Sequence, residues 1–224
     1  MWRRAILLTV TTLLVTACGI DAGASASAPS VSGTPVLIEP AGEIEEFRDL
    51  EAGTYVVDDP FPLRVSFVVP NGWLTWAYTS AASQINFAKP DVGEISFEIV
   101  DNVSAEPCTQ LLRDPPVGAS VDDLVAALSD LPDFEVNPPT DITIDGFSGK
   151  QLTMTAPANA RCGSLYTWRT TTRQNGVGAG EVNEVRILDV DGVRLVISVA
   201  HGPSLSAEAR SEIDAVVNSI QIGE

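Results

Sequence analysis

One histidine, three cysteines and thirty carboxylates are the chemically useful residues of this 224-residue chain, and their spacing narrows what they can do. A Ser-His-Asp hydrolase needs a base, and only His201 is available, in "VAHGPS", where a strand pattern gives way to a helix pattern. It is expected to be a loop residue. "GFSGK" around Ser148 lacks the Gly-x-Ser-x-Gly elbow and fits a turn. Catalytic zinc ordinarily takes three protein ligands, often histidines, so no metal site is expected. "DVDG" at Asp189–Gly192 would place Ala200 where a calcium loop requires Glu, and a hairpin turn suits it better. "GVGAGE" at Gly176–Glu181 has the glycine spacing of a phosphate cradle. It lacks the lysine and the following helix, which leaves a flexible hairpin loop and no expected cofactor.

Two candidates remain. Glycoside cleavage needs only a pair of carboxylates, and with so many acids their pairing in space is invisible to spacing. A hydrolase using acidic residues is therefore the alternative reading. The other candidate is the aromatic set Trp73, Trp76 and Tyr78 in "GWLTWAY", beside a Pro-Asn-Gly turn. Alternation puts Trp76 and Tyr78 on one side of an extended segment, where they line an apolar cleft or fill a core. Trp168 and Arg169 form a lesser pair of the same kind.

Charge excludes one class of partner. The formal net charge is −17, and the 13 Lys and Arg are scattered singly apart from Arg3 and Arg4. A phosphate backbone needs clustered cations, so nucleic acid is not an expected partner. A hydrophobic share of 45% is that of a globular domain.

Residues 1–17 read as a signal peptide: Arg3 and Arg4, then an apolar stretch from Ala5 to Val15, too short for the roughly 20 residues a membrane span needs. Val15-Thr16-Ala17-Cys18 resembles the lipobox of bacterial lipoproteins. The resemblance implies that Cys18 becomes the lipidated N-terminus, holding the chain in the cell membrane on the extracytoplasmic side through its acyl chains. Residues 18–50 then hold the lipidated Cys and an Ala/Ser/Gly/Pro-rich flexible tether. Once Cys18 is lipidated, Cys108 and Cys162 remain, in an oxidising compartment. A disulfide between them is expected; a pair of free thiols is the alternative.

From residue 51 to 224 the pattern is that of one α+β domain. "LRVSFVV" and "EISFEIV" alternate apolar and polar residues, the second setting Ile95, Phe97 and Ile99 against a wet face of Glu94, Ser96 and Glu98. Ser120 and Asp123 form a capping box for a helix over 121–130. Asp191-Gly192 marks a hairpin, and either Asp145-Gly146 or Ser148-Gly149 marks another. Ser206 caps a closing helix with Ala209, Ile213, Val216, Val217 and Ile220 on one face. This gives a largely antiparallel sheet of about 7–8 strands with two helices packed on it. "VSFVVPNGWLTW" and "IDAVVNSIQI" resemble the extracytoplasmic PsbP/Mog1-like α/β sandwiches, a likeness that implies an accessory or binding protein and brings no catalytic residues. The expected function is a lipid-anchored, non-enzymatic binding or accessory module for an envelope protein or an apolar ligand.

Overall fold

The computed structural model describes residues 34–38, 47–77, 83–171 and 173–223, with the backbone alone at 76 and 77. Two short strands come first, β1 (Val36–Leu37) and β2 (Arg48–Leu50). Then follow β3 (Gly53–Val57), β4 (Val65–Val69), β5 (Trp73–Ala77), β6 (Gln84–Lys89) and the long β7 (Gly93–Val103). After α1 (Val121–Ser129) run β8 (Glu135–Val136), β9 (Thr140–Ile144), β10 (Phe147–Thr155), β11 (Ser164–Thr170) and β12 (Gln174–Gly178). The chain ends with β13 (Val182–Val190), β14 (Val193–His201), α2 (Ala207–Asn218) and β15 (Gln221–Ile222). The class is α+β with two helices, as expected, but the described residues hold 15 strands and not 7–8. Strands of two or three residues, such as β1, β8 and β15, are too short to show a period in sequence.

The large sheet runs β2-β5-β6-β7-β14-β13-β10-β8, with β9 on β10 and the β11–β12 hairpin joined to β7; the small sheet runs β1-β3-β4-β15. β1 lies parallel to β3, and the other pairings among the described residues are antiparallel. β1 and β2 lie upstream of residue 51, where a tether is expected. Short apolar stretches explain the difference, because Ile38 and Leu50 are buried in the body they pair with.

Local chemistry fixes the turns and helix ends. Asp191 and Gly192 take φ of 50° and 87°, and Asp145 and Gly146 take 48° and 84°. These are the left-handed pairs a two-residue hairpin requires, and Ser148-Gly149 falls inside β10. Ser120 and Asp123 form the reciprocal capping box on α1, and Ser206 Oγ accepts from Ala209 N on α2.

One face of the large sheet carries Phe87 and Phe97, which meet Phe67 of the small sheet at centroid distances of 4.5 and 5.2 Å. Ile213 and Val216 of α2 join the same core. Each such side chain contributes roughly 1.5–3 kcal/mol on burial. The other face has an apolar half under α1, where Leu124 and Leu128 pack on Val185, Ile187 and Val196. Cys108 and Cys162 are joined by a disulfide, 54 residues apart in sequence. Closing a loop of that length is worth about 4 kcal/mol in the chain-entropy model. It also pins the approach to β11 beside the end of β7.

Candidate functional site

The rest of that second face is polar. Glu94, Ser96 and Glu98 alternate onto it from β7. The register sets Asn86 and Ser198 on either side of Ser96, Gln84 beside Glu98, and Ala88 and Ala200 on either side of Glu94. The sequence leads one to expect this face to be wet; in the fold it is covered. Glu98 and Asn86 are 0% exposed and Ser96 and Ser198 are 3% exposed. The cover is the β11–β12 hairpin, which pairs with the far end of β7 through Trp168 opposite Val103. A pairing between segments about 65 residues apart leaves no local trace in the sequence.

Glu98 lies at the bottom of this layer. Trp168 Nε1 donates to its Oε2 at 2.6 Å, while Ser96 Oγ and Asn175 Nδ2 donate to its Oε1 at 2.6 and 3.0 Å. Burial pushes its pKa up, against the lowering effect of those three bonds. Beside it, Gln84 Nε2 donates to Asn86 Oδ1 at 2.9 Å, which leaves Gln84 Oε1 and Asn86 Nδ2 buried without partners.

Above this layer opens a cleft of about 790 Å³. Its floor is Glu94, Ser96, Ser198 and Asn183, with Ser198 Oγ donating to Asn183 Oδ1 at 2.8 Å. One wall is Asn175, Gly176 and Glu181; another is the Lys89–Gly93 turn; a third is the Gly202–Ser206 segment leading into α2. Gly176–Gly178 is thus part of β12, with Gly176 and Val177 bordering the cleft, not a free loop. The turn needs glycine at position 93, where φ is 151° and an added Cβ would sit 2.7 Å from Ala200 O. Phe47, with 61% of its surface exposed, stands at the mouth with Leu74 and Leu205.

Glu94 is the acid of the cleft floor that burial perturbs most. Desolvation pushes its pKa up to about 7, with the charges of Glu98 and Glu181 adding to the effect. No hydrogen bond reaches its carboxyl among the described residues. Glu181 is held in place by Gly178 N, which donates to its Oε2 at 2.7 Å. Lys89 lines the cleft but is drawn away, its Nζ 2.7 Å from Glu212 and 3.1 Å from Asn71 O. Among the described residues no three His, Cys, Asp or Glu side chains converge on a metal-sized point.

A second buried carboxylate lies on the opposite face. Arg186 Nη2 donates to Glu184 Oε2 at 3.0 Å, Arg210 Nη1 donates to Oε1, and His201 Nε2 lies 3.3 Å from Oε1. Burial favours the neutral acid here as well. The bonds from His201 and Arg210 and the charge of Arg186 win, holding Glu184 down at about 2. His201 is therefore not a loop residue; it ends β14, is 7% exposed, and its pKa is raised by the bond to Glu184.

The aromatic candidates separate. Trp73 is 0% exposed and packs tilted on Phe87 at 5.7 Å, with Nε1 donating to Glu212 at 2.8 Å. It belongs to the core. The Trp76 side chain and Tyr78 lie outside the described residues, as do Cys18 and the signal segment. Trp168 serves as a buried donor to Glu98, and Arg169 is exposed. Glu94, Glu98, Glu181 and Asn175 were not singled out by spacing. The available signal was the Glu-Ser-Glu alternation on a long strand, but only its place in mid-sheet reveals that those side chains are covered.

No protein-family model matches the chain, and no curated protein does. Solved structures that share a distant likeness include the following three. A crystal structure from Bacteroides thetaiotaomicron is 10% identical with a TM-score of 0.43, covering 78% of this chain and 50% of that one. The chain thus spans half the length of that protein. The solution structure of cyanobacterial PsbP (CyanoP) from Synechocystis is 13% identical with a TM-score of 0.39, covering 83% and 98%. The crystal structure of LpqN, involved in cell envelope biogenesis of Mycobacterium tuberculosis, is 17% identical with a TM-score of 0.33, covering 80% and 91%. Likenesses at this level say nothing about what the cleft binds. No helix among the described residues is long and apolar enough to cross a membrane.

Proposed function

We propose that the chain is a non-enzymatic, extracytoplasmic binding module, anchored to the cell membrane through lipid on Cys18, whose cleft on the polar face of the large sheet holds a small ligand. The observation that supports this reading is the cleft of about 790 Å³ floored by inward-facing polar side chains on mid-sheet strands. A volume of this size is typical of small-ligand sites, and a fold gains no stability from facing carboxylates into one. Residues 1–17 serve as signal peptide and part of the 18–50 segment as tether in this reading.

Gly202 provides a test, because it lines the cleft and an added Cβ there meets nothing within 4 Å. Native mass spectrometry of protein isolated from its own membrane is expected to find a retained small molecule, which Gly202→Trp releases. No retained mass beyond that of the protein in the natural form, or the same retained mass in both forms, would refute the reading. For the anchor, Cys18→Ser is expected to free the chain from the membrane fraction.

One observation favours a second reading. Glu94, at about 7, shares the cleft with Glu181, which is the pairing a carboxylate hydrolase uses, with Glu94 as proton donor. Turnover of aryl glycosides that Glu94→Gln abolishes would replace the binding reading with this one.

A further inference from the structure

A second, smaller pocket of about 320 Å³ lies on the other face of the large sheet, between α2 and strands β9, β10 and β13. Arg186 lines it from mid-sheet, opposite Gln151 in the β10–β13 register, with its side chain 9% exposed. Glu184 has donors on both oxygens, but Arg186 is less well served. Its Nη2 donates to Glu184 Oε2 at 3.0 Å, while Nη1 is buried with no partner among the described residues. Two guanidinium groups, Arg186 and Arg210, face that one carboxylate, so a positive charge is left over where burial makes it costly. An acceptor brought to Arg186 offsets that cost.

The opposite wall suits a cation. Asp214, one turn beyond Arg210 on α2, lines the pocket, and no ion pair joins it to Arg186 among the described residues. Val217 and Asn218 of the same wall belong to the last turn of α2, the negative end of the helix dipole, where no Lys or Arg stands. Asp145 accepts from Ile222 N at 2.6 Å, and with Asp214 it repels a plain anion. Ile142, Ile144 and Ile220 supply an apolar part.

We propose that this pocket binds a free aliphatic α-amino acid as the zwitterion, its carboxylate on the Arg186 guanidinium and its ammonium against Asp214 and the C-terminal end of α2. The planar guanidinium matches a carboxylate, and the volume lies in the range of small-ligand sites. The pocket is separate from the large cleft, and the proposal stands or falls independently of what that cleft holds.

Isothermal titration calorimetry of the full chain with L-leucine at neutral pH tests this. The comparison ligands are 4-methylpentanoate, which lacks the ammonium, and L-leucinol, which lacks the carboxylate. One saturable leucine site is expected, and each comparison ligand should bind at least about tenfold more weakly. Asp214→Asn, at an exposed position, should weaken leucine by about tenfold or more without weakening 4-methylpentanoate. Gln151→Glu sets an internal carboxylate beside Arg186 and is expected to abolish leucine binding. Asp122→Asn removes the same charge from α1, on the opposite face of the sheet, and should change nothing. No saturable heat with leucine, a comparison ligand that binds as tightly as leucine, undiminished affinity in Asp214→Asn or Gln151→Glu, or an equal loss in Asp122→Asn would each overturn the proposal.

Discussion

Glu94 and Glu184 stand one on each face of the same sheet, separated by adjoining rows of β13, β14 and β7, and burial favours the neutral acid at both. Glu184 is met by two arginines and a histidine and is held at about 2. Glu94 is met by two more carboxylates and rises to about 7. The difference lies in who supplies the countercharge. The Glu184 group is closed within the protein, with Arg210 brought to it by α2, and it holds helix to sheet. The Glu94 group faces the cleft among other acids, and a retained proton, not a cation, meets its charge.

The largest effect is expected from opening the closed group. Glu184→Gln leaves Arg186, Arg210 and His201 gathered around a neutral amide, and loss of one partner from a buried ionic set costs roughly 3–5 kcal/mol. Urea unfolding at pH 7 should show that loss. A change below about 1 kcal/mol would mean that solvent screens the group as it does a surface pair.

The opposite substitution should stabilise. Glu94 binds its proton more tightly folded than unfolded, so stability falls as pH rises from about 4.5 to 7. The upward shift of Glu98, and that of His201 above its unfolded 6.5, act in the same direction. Glu184 acts the other way: its contribution is present above its unfolded value and is lost as pH falls toward 2. Maximum stability is therefore expected on the acid side of neutral. Glu94→Gln should gain on the order of 3 kcal/mol at pH 8 and nothing at pH 4, checked by unfolding curves at the two pH values. A pH-independent effect would remove Glu94 as the source of the slope.

A smaller effect is expected at the cover. Trp168→Phe keeps the ring stacked over the sheet but takes the Nε1 donor from Glu98, at about 1–2 kcal/mol. Urea unfolding of the two forms checks it, and an unchanged stability would mean that the bond to Glu98 contributes nothing.

What could be read from the sequence was what is local. Asp191-Gly192, the Ser120–Asp123 box, the Ser206 cap and the buried stripe of α2 each depend on neighbours within a turn or two, and each stands where expected. The antiparallel α+β class followed from those parts. The candidate site did not, because it depends on distant meetings. Glu98 is covered by a hairpin from about 70 residues away, and His201 is buried by Glu184 and an arginine of α2. Trp73 shows the converse: its place in an aromatic cluster suits a cleft or a core equally, and only the fold assigns its ring to the core beneath α2. The acids of the cleft were visible as residue types throughout; their shared face and shared enclosure were not.

The most direct test is a carboxyl-carbon NMR titration of the wild-type chain, with Glu94→Gln and Glu184→Gln used to assign the two resonances. In one sample, Glu94 is predicted to titrate near pH 7 and Glu184 near pH 2. If both midpoints fall together near 4.5, the usual value for glutamate, the contrast between a closed group and an open one is contradicted.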